Sequence, residues 1–250
     1  MRALVIGPGG IGGEVVRALT GAGHEVVVGR RGDPDTVDAA EGLGVKSFPV
    51  DVGDPESCKR FVSAVWKDAG PFSAVVNCFG EMAEGPLLRS GPEDLERLFA
   101  ANVQGVANVC RAVSFRLMKG GGGTIVNVGS AVSRAGVPGL TAYAASKGAL
   151  VSFGRSLAAE LARYRITCNT VLPGFIDSGP TARRTDAWKD AVARHVPLGR
   201  LGTPADVAAV VTALVSPSMG YVTGQEFVVD GGWTLGSAVL ADDLMGLDRG

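Results

Sequence analysis

The sequence predicts a single α/β domain with a parallel, doubly wound sheet. Short apolar, β-branched runs alternate with longer helical patterns from one end of the chain to the other, and several of these runs are continuously apolar, as strands buried on both faces are. The predicted strands are Ala3–Ile6, Glu25–Val28, Val45–Val50, Ala74–Asn77, Thr124–Val128, Thr167–Leu172 and Glu226–Val229. This alternation favours a seven-stranded parallel sheet flanked by helices.

The helices between these strands have recognisable first turns. The segments Ser90–Glu93 and Thr203–Asp206 have the spacing of a capping box, each with a proline inside the first turn. Asp54-Pro55 offers a simpler cap followed by a first-turn proline. We therefore expect helices to begin at these three places.

No linker, internal repeat or change of composition divides the chain, so residues 1–234 are assigned to one catalytic domain. Within it, residues 178–202 form a long insertion after the sixth predicted strand. Ligands bind at that edge of such sheets, so the insertion is interpreted as a substrate lid, with an ordinary surface loop as the alternative. Residues 235–250 are interpreted as a C-terminal tail.

Composition excludes several classes of protein. The chain of 250 residues has 24 Lys and Arg against 25 Asp and Glu, and this balance points to neither a nucleic-acid nor a membrane partner. Four Cys without paired spacing and two His argue against a disulfide framework, a metal cluster or a Ser-His-Asp triad. The apolar run near the N-terminus ends at Gly7, too early for a signal peptide. A cytoplasmic protein is expected.

A glycine-rich turn follows the first predicted strand directly. Gly7, Gly9 and Gly12 have the spacing G-x-G-x-x-G, with Gly10 and Ile11 completing the turn before a helical pattern. Glycines at these places permit a tight turn and a close approach of the backbone to a pyrophosphate, while the helix start favours negative charge. The context predicts a Rossmann-type dinucleotide-binding domain, and a plain structural turn is the alternative.

The end of the second predicted strand indicates which dinucleotide binds. A carboxylate there would favour NAD(H), whereas this strand ends in Arg30 and Arg31, whose guanidinium groups can bind a 2′-phosphate. NADP(H) is therefore favoured over NAD(H), unless the two arginines are solvated loop charges. Asp51, after the third strand, could accept a hydrogen bond from the adenine amino group or cap the segment that begins at Asp54.

Four polar residues form the candidate reacting group. Tyr143 and Lys147 are four residues apart, so they share one helical face, and an ammonium near a phenol should lower its pKa of about 10. Such a phenol could exchange a proton with a carbonyl or alcohol oxygen. Ser130 follows the fifth strand and could hydrogen-bond the same oxygen. Asn102 lies within a helical stretch that it disfavours, which indicates a polar contact such as holding a water.

Each of these residues alone has an ordinary structural explanation, but their joint order resembles the short-chain dehydrogenase/reductase family. The resemblance covers nearly the whole chain, up to Trp233. It rests on the glycine turn, Asp51-Val52, Asn77-Cys78-Phe79-Gly80, Asn102, Ser130, Tyr143 with Lys147, Pro173-Gly174-Phe175-Ile176, residues 197–202 and Val229-Asp230-Gly231-Gly232. The subgroup most similar in pattern is the 3-oxoacyl-[acyl-carrier-protein] reductases, which are ketoreductases.

The resemblance implies roles for the matching residues. Tyr143 would be the general acid/base, Ser130 would orient the carbonyl, and Lys147 would bind the nicotinamide ribose. Asn102 would hold a water of the proton relay. The cofactor-binding residues implied by the matching motifs, beside those of the glycine turn, Arg30, Arg31, Tyr143 and Lys147, are Asp51, Val52, Asn77, Phe79, Gly80, Pro173, Gly174, Ile176 and Ser178.

The sequence also departs from the family pattern. The turn from Gly7 to Gly12 is one residue shorter than the usual T-G-x-x-x-G-x-G, and it lacks both the Thr and the basic residue that often helps to bind the 2′-phosphate. More of that recognition would then fall on Arg30. Phe79 stands where the family has a small residue.

Three functions follow from these observations. The first is NADPH-dependent reduction of a β-ketoacyl or polyketide-like carbonyl, either free or bound to a carrier protein. The second is NAD(P)-dependent oxidation of a small secondary alcohol. The third is a non-catalytic dinucleotide-binding regulator, which the presence of both Tyr143 and Lys147 disfavours. The resemblance further implies a homo-oligomer, a tetramer or a dimer.

Overall fold

A computed structural model describes residues 1–236 of the chain. Seven parallel strands form one sheet in this part of the chain, in the order β3-β2-β1-β4-β5-β6-β7, so the predicted doubly wound architecture is confirmed. The strands are β1 Arg2–Ile6, β2 Glu25–Arg30, β3 Lys46–Pro49, β4 Ala74–Asn77, β5 Gly123–Val128, β6 Ile166–Pro173 and β7 Glu226–Val229. The strand order reverses between β1 and β4, and such a switch point leaves a crevice at the carboxyl ends of the strands.

Helices cover both faces of the sheet. Their bounds are α1 Ile11–Gly21, α2 Pro34–Glu41, α3 Pro55–Asp68, α4 Pro92–Phe99, α5 Gly105–Lys119, α6 Thr141–Leu161, α7 Asp186–Ala193 and α8 Pro204–Val215. Successive residues of a strand point to opposite faces. On β1, Leu4 and Ile6 join the core under α3, α5 and α6. Ala3 and Val5 join the core under α1 and α8.

Helices begin at all three predicted places, and two of the three predicted caps are confirmed. The Asp54 carboxylate accepts a hydrogen bond from the backbone N–H of Glu56 at 2.8 Å, and α3 begins at Pro55. At the start of α8, Thr203 and Asp206 form a reciprocal capping box. Asp206 is also paired with Arg200 through two hydrogen bonds of 2.8 and 2.9 Å, which hold the end of the insertion against the helix.

The capping box predicted over Ser90–Glu93 is wrong. Helix α4 begins at Pro92, and Gly91, with φ −84° and ψ 168°, occupies the cap position without a side-chain cap. A residue before proline is driven out of the helical region, so the cap falls one residue later than predicted. The Ser90 hydroxyl instead donates a hydrogen bond to the carbonyl of Pro86 at 3.2 Å.

Residues 1–236 lack two features, a helix suited to spanning a membrane and a metal-binding cluster. No helix in that range combines the length and the apolar character that crossing a bilayer requires. Nor does that range contain a cluster of three or more side chains that could hold a metal ion. The tail predicted at 235–250 lies outside the described residues except for its first two residues.

The two predicted capping boxes provide a test of helix energetics. Thr203→Ala removes the side-chain acceptor of a formed box and should cost about 1 kcal/mol of unfolding free energy, measured from urea unfolding at fixed protein concentration. Ser90→Ala is the matched control, because its hydroxyl caps no helix, and we expect a change within about 0.5 kcal/mol. Equal losses in the two variants would contradict the assignment of the caps.

Candidate active site

Two adjoining cavities open at the carboxyl ends of the central strands. The larger, here called the central cavity, has a volume of about 450 Å³ and is lined by the glycine turn, the ends of β4, β5 and β6, the start of α6 and part of the insertion. The smaller, here called the side cavity, has a volume of about 320 Å³ and lies between the turn and the ends of β2 and β4. Gly9, Phe79 and Gly80 line both, so the two cavities form one continuous cleft.

Two glycines of the turn, Gly10 and Gly12, are packed too closely for a side chain. A Cβ on Gly12 would lie 1.8 Å from the carbonyl oxygen of Gly7, and one on Gly10 would lie 2.4 Å from the Ser178 hydroxyl oxygen. Gly10 also has a φ of 50° and precedes the first residue of α1. At Gly9 a Cβ would meet nothing within 4 Å, so the cleft is open above the turn. These properties fit the pyrophosphate of a dinucleotide at the start of α1.

Three of the predicted reacting side chains line the central cavity. Tyr143 and Lys147 lie in the first two turns of α6, and Ser130 follows β5. The Lys147 ammonium lies 5.8 Å from the centre of the Tyr143 ring. It donates a hydrogen bond to the carbonyl of Val128 at 3.3 Å, and the residue is only 4% exposed.

Burial governs the protonation of both groups on α6. It lowers the pKa of the Lys147 ammonium from 10.5 to about 8. It raises the pKa of the Tyr143 phenol, and the interaction with the Ser130 hydroxyl opposes this shift without reversing it. The expected lowering of the Tyr143 pKa by Lys147 is therefore not found in this arrangement, because the loss of hydration dominates.

Ser130 is positioned by the short turn that follows it. Its hydroxyl accepts a hydrogen bond from the backbone N–H of Val132 at 3.4 Å and so caps a single 3₁₀ turn. Arg134, at the end of that turn, donates to the Glu226 carboxylate of β7 at 2.8 Å. Glu226 also pairs with Arg155 of α6, and its side chain is only 5% exposed. The turn that carries Ser130 is thus tied to both β7 and α6.

Asn102 is fully buried in a π-helical turn between α4 and α5. Its amide nitrogen donates to the carbonyl of Glu81 at 2.9 Å and to the Ser146 hydroxyl at 3.0 Å, and its oxygen accepts from the N–H of Glu81 at 2.8 Å. The polar contacts of Asn102 therefore connect the loop after β4, at Glu81, to helix α6, at Ser146. Single π-turns of this kind often occur at functional sites.

Most of the predicted cofactor residues face the cleft. Those on the central cavity are Gly9, Gly10, Ile11, Phe79, Gly80, Tyr143, Lys147, Pro173, Gly174, Ile176 and Ser178. Those on the side cavity are Gly7, Gly9, Arg30, Arg31, Val52, Phe79 and Gly80.

Three predicted cofactor residues do not line the cleft. Gly12 packs beneath the turn, where an added Cβ would overlap the carbonyl oxygen of Gly7. Asn77 is 1% exposed and donates to Asn127 at 2.8 Å between neighbouring strands. The Asp51 carboxylate accepts from the N–H of Gly53 at 2.9 Å and lies on a neighbouring groove outside β3, which shares Arg31 with the side cavity. Asp51 thus shapes the turn before Asp54, whereas the cap of α3 is Asp54 itself.

The insertion closes one side of the central cavity with aromatic and ionic contacts that sequence reasoning did not assign. Arg184 forms an ion pair with Glu84 of the loop after β4, and its guanidinium lies 5.3 Å from the ring centre of Trp188. Phe175 packs edge-on against Trp188 and Trp233, at 6.0 and 4.8 Å between ring centres. The role of this insertion as a lid stays a prediction. The ion pair joins residues 100 positions apart, and no local pattern indicates it.

A glycine turn at the switch point of a parallel sheet, with Tyr and Lys on one helix at the same cleft, defines a dinucleotide-dependent oxidoreductase. A family model described as enoyl-(acyl carrier protein) reductase matches residues 5–234. The chain belongs to the short-chain dehydrogenase/reductase family. It is an NAD(P)-dependent oxidoreductase that interconverts a carbonyl and an alcohol.

Individual relatives agree with this assignment. The chain is 37% identical over 216 residues to a (3R)-3-hydroxyacyl-CoA dehydrogenase of Mus musculus, covering 86% of this chain and 83% of that protein. It is 33% identical over 233 residues to 3-oxoacyl-[acyl-carrier-protein] reductase FabG of Vibrio cholerae, covering 92% and 96%. A solved short-chain type dehydrogenase/reductase from Mycobacterium ulcerans superposes with a TM-score of 0.87 at 28% identity, covering 98% and 95%.

The buried ammonium predicts a pH-dependent stability. Between pH 8 and 10.5 the unfolded chain keeps a proton on Lys147 that the folded protein releases, so rising pH stabilises the folded protein across this range. Lys147→Met, which carries no charge, should therefore be more stable than the unmodified protein below pH 8, by on the order of 3 kcal/mol, and this difference should shrink towards pH 10.

Urea unfolding at pH 7, 8, 9 and 10 measures this difference. Lys67→Met, at an exposed position near the end of α3, is the control and should give a difference that does not change with pH. A constant difference for Lys147→Met as well would mean that the Lys147 ammonium is not destabilised by burial.

Proposed function

We propose that the protein reduces the keto group of a 3-oxoacyl or polyketide-like substrate, free or bound to a carrier protein, with NADPH as the hydride donor. The observation that carries this proposal is the convergence of Tyr143, Ser130 and Lys147 on a cavity continuous with the glycine turn. The relatives named as 3-oxoacyl-[acyl-carrier-protein] reductases support the substrate class. The apolar side of the cleft, which includes Phe175 and Trp188, is suited to an acyl chain.

In this proposal the chain's own residues position the carbonyl and supply the proton. Tyr143 donates its phenolic proton to the carbonyl oxygen, and the Ser130 hydroxyl hydrogen-bonds the same oxygen. The raised pKa of Tyr143 keeps the phenol protonated at neutral pH, as a general acid must be. Lys147 lies on the same helical face and would bind the nicotinamide ribose. The bound nicotinamide supplies the hydride.

The choice of NADPH rests on the end of β2. Arg30 and Arg31 line the side cavity. The last residues of β2 are Val28, Gly29 and Arg30, so the end of this strand has no carboxylate that could bind a ribose hydroxyl. Guanidinium groups bind phosphate through charge-assisted hydrogen bonds. The short glycine turn offers no basic residue, so Arg30 carries most of this recognition in our proposal.

Oxidation of a small secondary alcohol is the second candidate. It is favoured by the 37% identity to a protein named as a hydroxyacyl-CoA dehydrogenase. The two reaction directions need different protonation states of Tyr143: reduction needs the phenol as an acid, and oxidation needs the phenolate as a base. Burial disfavours the phenolate, so the described site supports reduction at neutral pH. The cytoplasmic location and the homo-oligomeric state stay predictions.

The role of Tyr143 can be tested by removing one hydroxyl. Tyr143→Phe should reduce kcat by roughly 10²–10⁴-fold, the usual contribution of a general acid, while leaving the Kd for NADPH within about twofold. Turnover is followed as NADPH consumption with a 3-oxoacyl thioester, and coenzyme binding by nicotinamide fluorescence. Tyr164→Phe, at a residue 38% exposed and outside both cavities, is the control. An unchanged kcat in Tyr143→Phe would remove the phenol from the mechanism.

The coenzyme preference can be tested at Arg30. Arg30→Ala should raise the Kd for NADPH by about tenfold or more, the usual cost of losing hydrogen bonds to a charged group, and should change the Kd for NADH little. Arg163→Ala, at an exposed position outside both cavities, serves as the control. Equal weakening of both coenzymes would show that Arg30 does not recognise the 2′-phosphate.

A further inference from the structure

The two arginines of the side cavity are held in different ways by neighbouring residues. Arg30 is half-buried, and its Nε donates to the Ser47 hydroxyl oxygen at 3.1 Å. Arg31 is exposed, and its Nε lies 3.1 Å from a carboxylate oxygen of Asp33. Neither Ser47 nor Asp33 lines the side cavity, so each would act on a ligand there through its arginine.

Ser47 fixes the orientation of Arg30. It lies on β3, next to β2 in the sheet, where Val28 and Ser47 are register partners. A second contact runs from Nη1 of Arg30 to the carbonyl of Arg31 at 3.3 Å. These two bonds use two of the five N–H donors of the guanidinium. The remaining three are available in a fixed direction, which reduces the entropy lost when an anion binds.

Whereas Ser47 makes Arg30 available to an anion, Asp33 makes Arg31 less available. One oxygen of its carboxylate accepts from the N–H of Thr36 and caps α2, and the other pairs with Arg31. The pair neutralises the second cation of the cavity wall and puts a negative charge near any anion bound there. Because the Arg31 side chain is 68% exposed and that of Asp33 is 36% exposed, solvent screens the ion pair, which is therefore weak.

We propose that Ser47 and Asp33 are specificity-determining residues that set the affinity of this cavity for a 2′-phosphorylated adenosine in opposite directions. Ser47 raises that affinity by holding Arg30 in position, and Asp33 lowers it by engaging Arg31. The inference rests on the proposed use of NADPH. It adds that Asp33 makes the chain's preference for NADPH over NADH smaller than it would be if both arginines bound the 2′-phosphate.

The test uses adenosine 2′,5′-bisphosphate and adenosine 5′-monophosphate as probes, with Kd values from calorimetry on the full chain. The two probes differ only in the 2′-phosphate, and neither requires turnover. Ser47→Ala should weaken the bisphosphate about three- to tenfold, the usual effect of losing one hydrogen bond, and leave the monophosphate unchanged. In an Arg30→Ala background, Ser47→Ala should have no further effect, since it acts through Arg30. Ser57→Ala, near the same edge of the sheet, is the control, because its hydroxyl accepts from the N–H of Asp51 instead.

Asp33→Asn should have the opposite effect. Asparagine keeps the cap of α2 but removes the negative charge, so the bisphosphate should bind about two- to fivefold more tightly at low salt. The gain should fall as ionic strength rises. Asp35→Asn removes the same charge two residues away, where the structure shows no partner among the described ion pairs, and should give a smaller gain. A merely structural defect could weaken binding but would not tighten it.

The outcomes separate this inference from the proposal beneath it. If the unmodified protein binds both probes equally, the proposed NADPH preference fails and the inference fails with it. If the unmodified protein prefers the bisphosphate and Arg30→Ala abolishes the preference, but Ser47→Ala and Asp33→Asn behave like their controls, only the inference fails.

Discussion

The candidate site depends on keeping one ammonium group out of water. Lys147 is almost fully buried, and a buried charge is tolerated only where it is hydrogen-bonded. The carbonyl of Val128 provides that bond at the end of β5. A Cβ on Gly80 would lie 3.1 Å from the ammonium and 2.6 Å from the Asn102 oxygen, so a glycine is required where the chain leaves β4. The loop after β4, the end of β5 and α6 therefore have to fit around the same group.

The parallel sheet explains how residues distant in sequence meet this requirement. Parallel strands end at the same edge, so Gly80 after β4 and Ser130 after β5 come together without any local signal linking them. Asn102 then fixes the spacing between this edge and α6, since it bonds both Glu81 and Ser146. The hydrogen bonds of one buried amide thus determine where the loop after β4 lies relative to Lys147.

The sequence predicted well what depends on local pattern. The seven strands follow from runs of apolar residues, and the Tyr143–Lys147 pair follows from helical spacing. Three features could not be predicted, because they depend on tertiary distances. The direction of the Tyr143 pKa depends on how deeply the phenol is buried, which spacing does not reveal. The ion pair of Glu84 with Arg184 joins two loops, and Asn77 bonds inside the sheet although its motif suggested the cofactor.

Burial also determines the protonation states from which the proposed reaction would start. Loss of hydration favours the neutral form of each group, so it holds the proton on Tyr143 and tends to remove the one on Lys147. A reduction that starts from the protonated phenol uses the form that the site already favours at neutral pH. An oxidation must first form a phenolate against the same loss of hydration, so it gains from alkaline pH while the reduction does not. Under the proposed mechanism, carbonyl reduction at neutral pH would therefore use the protonation states that burial favours, and the same burial makes the Lys147 ammonium destabilising to the fold.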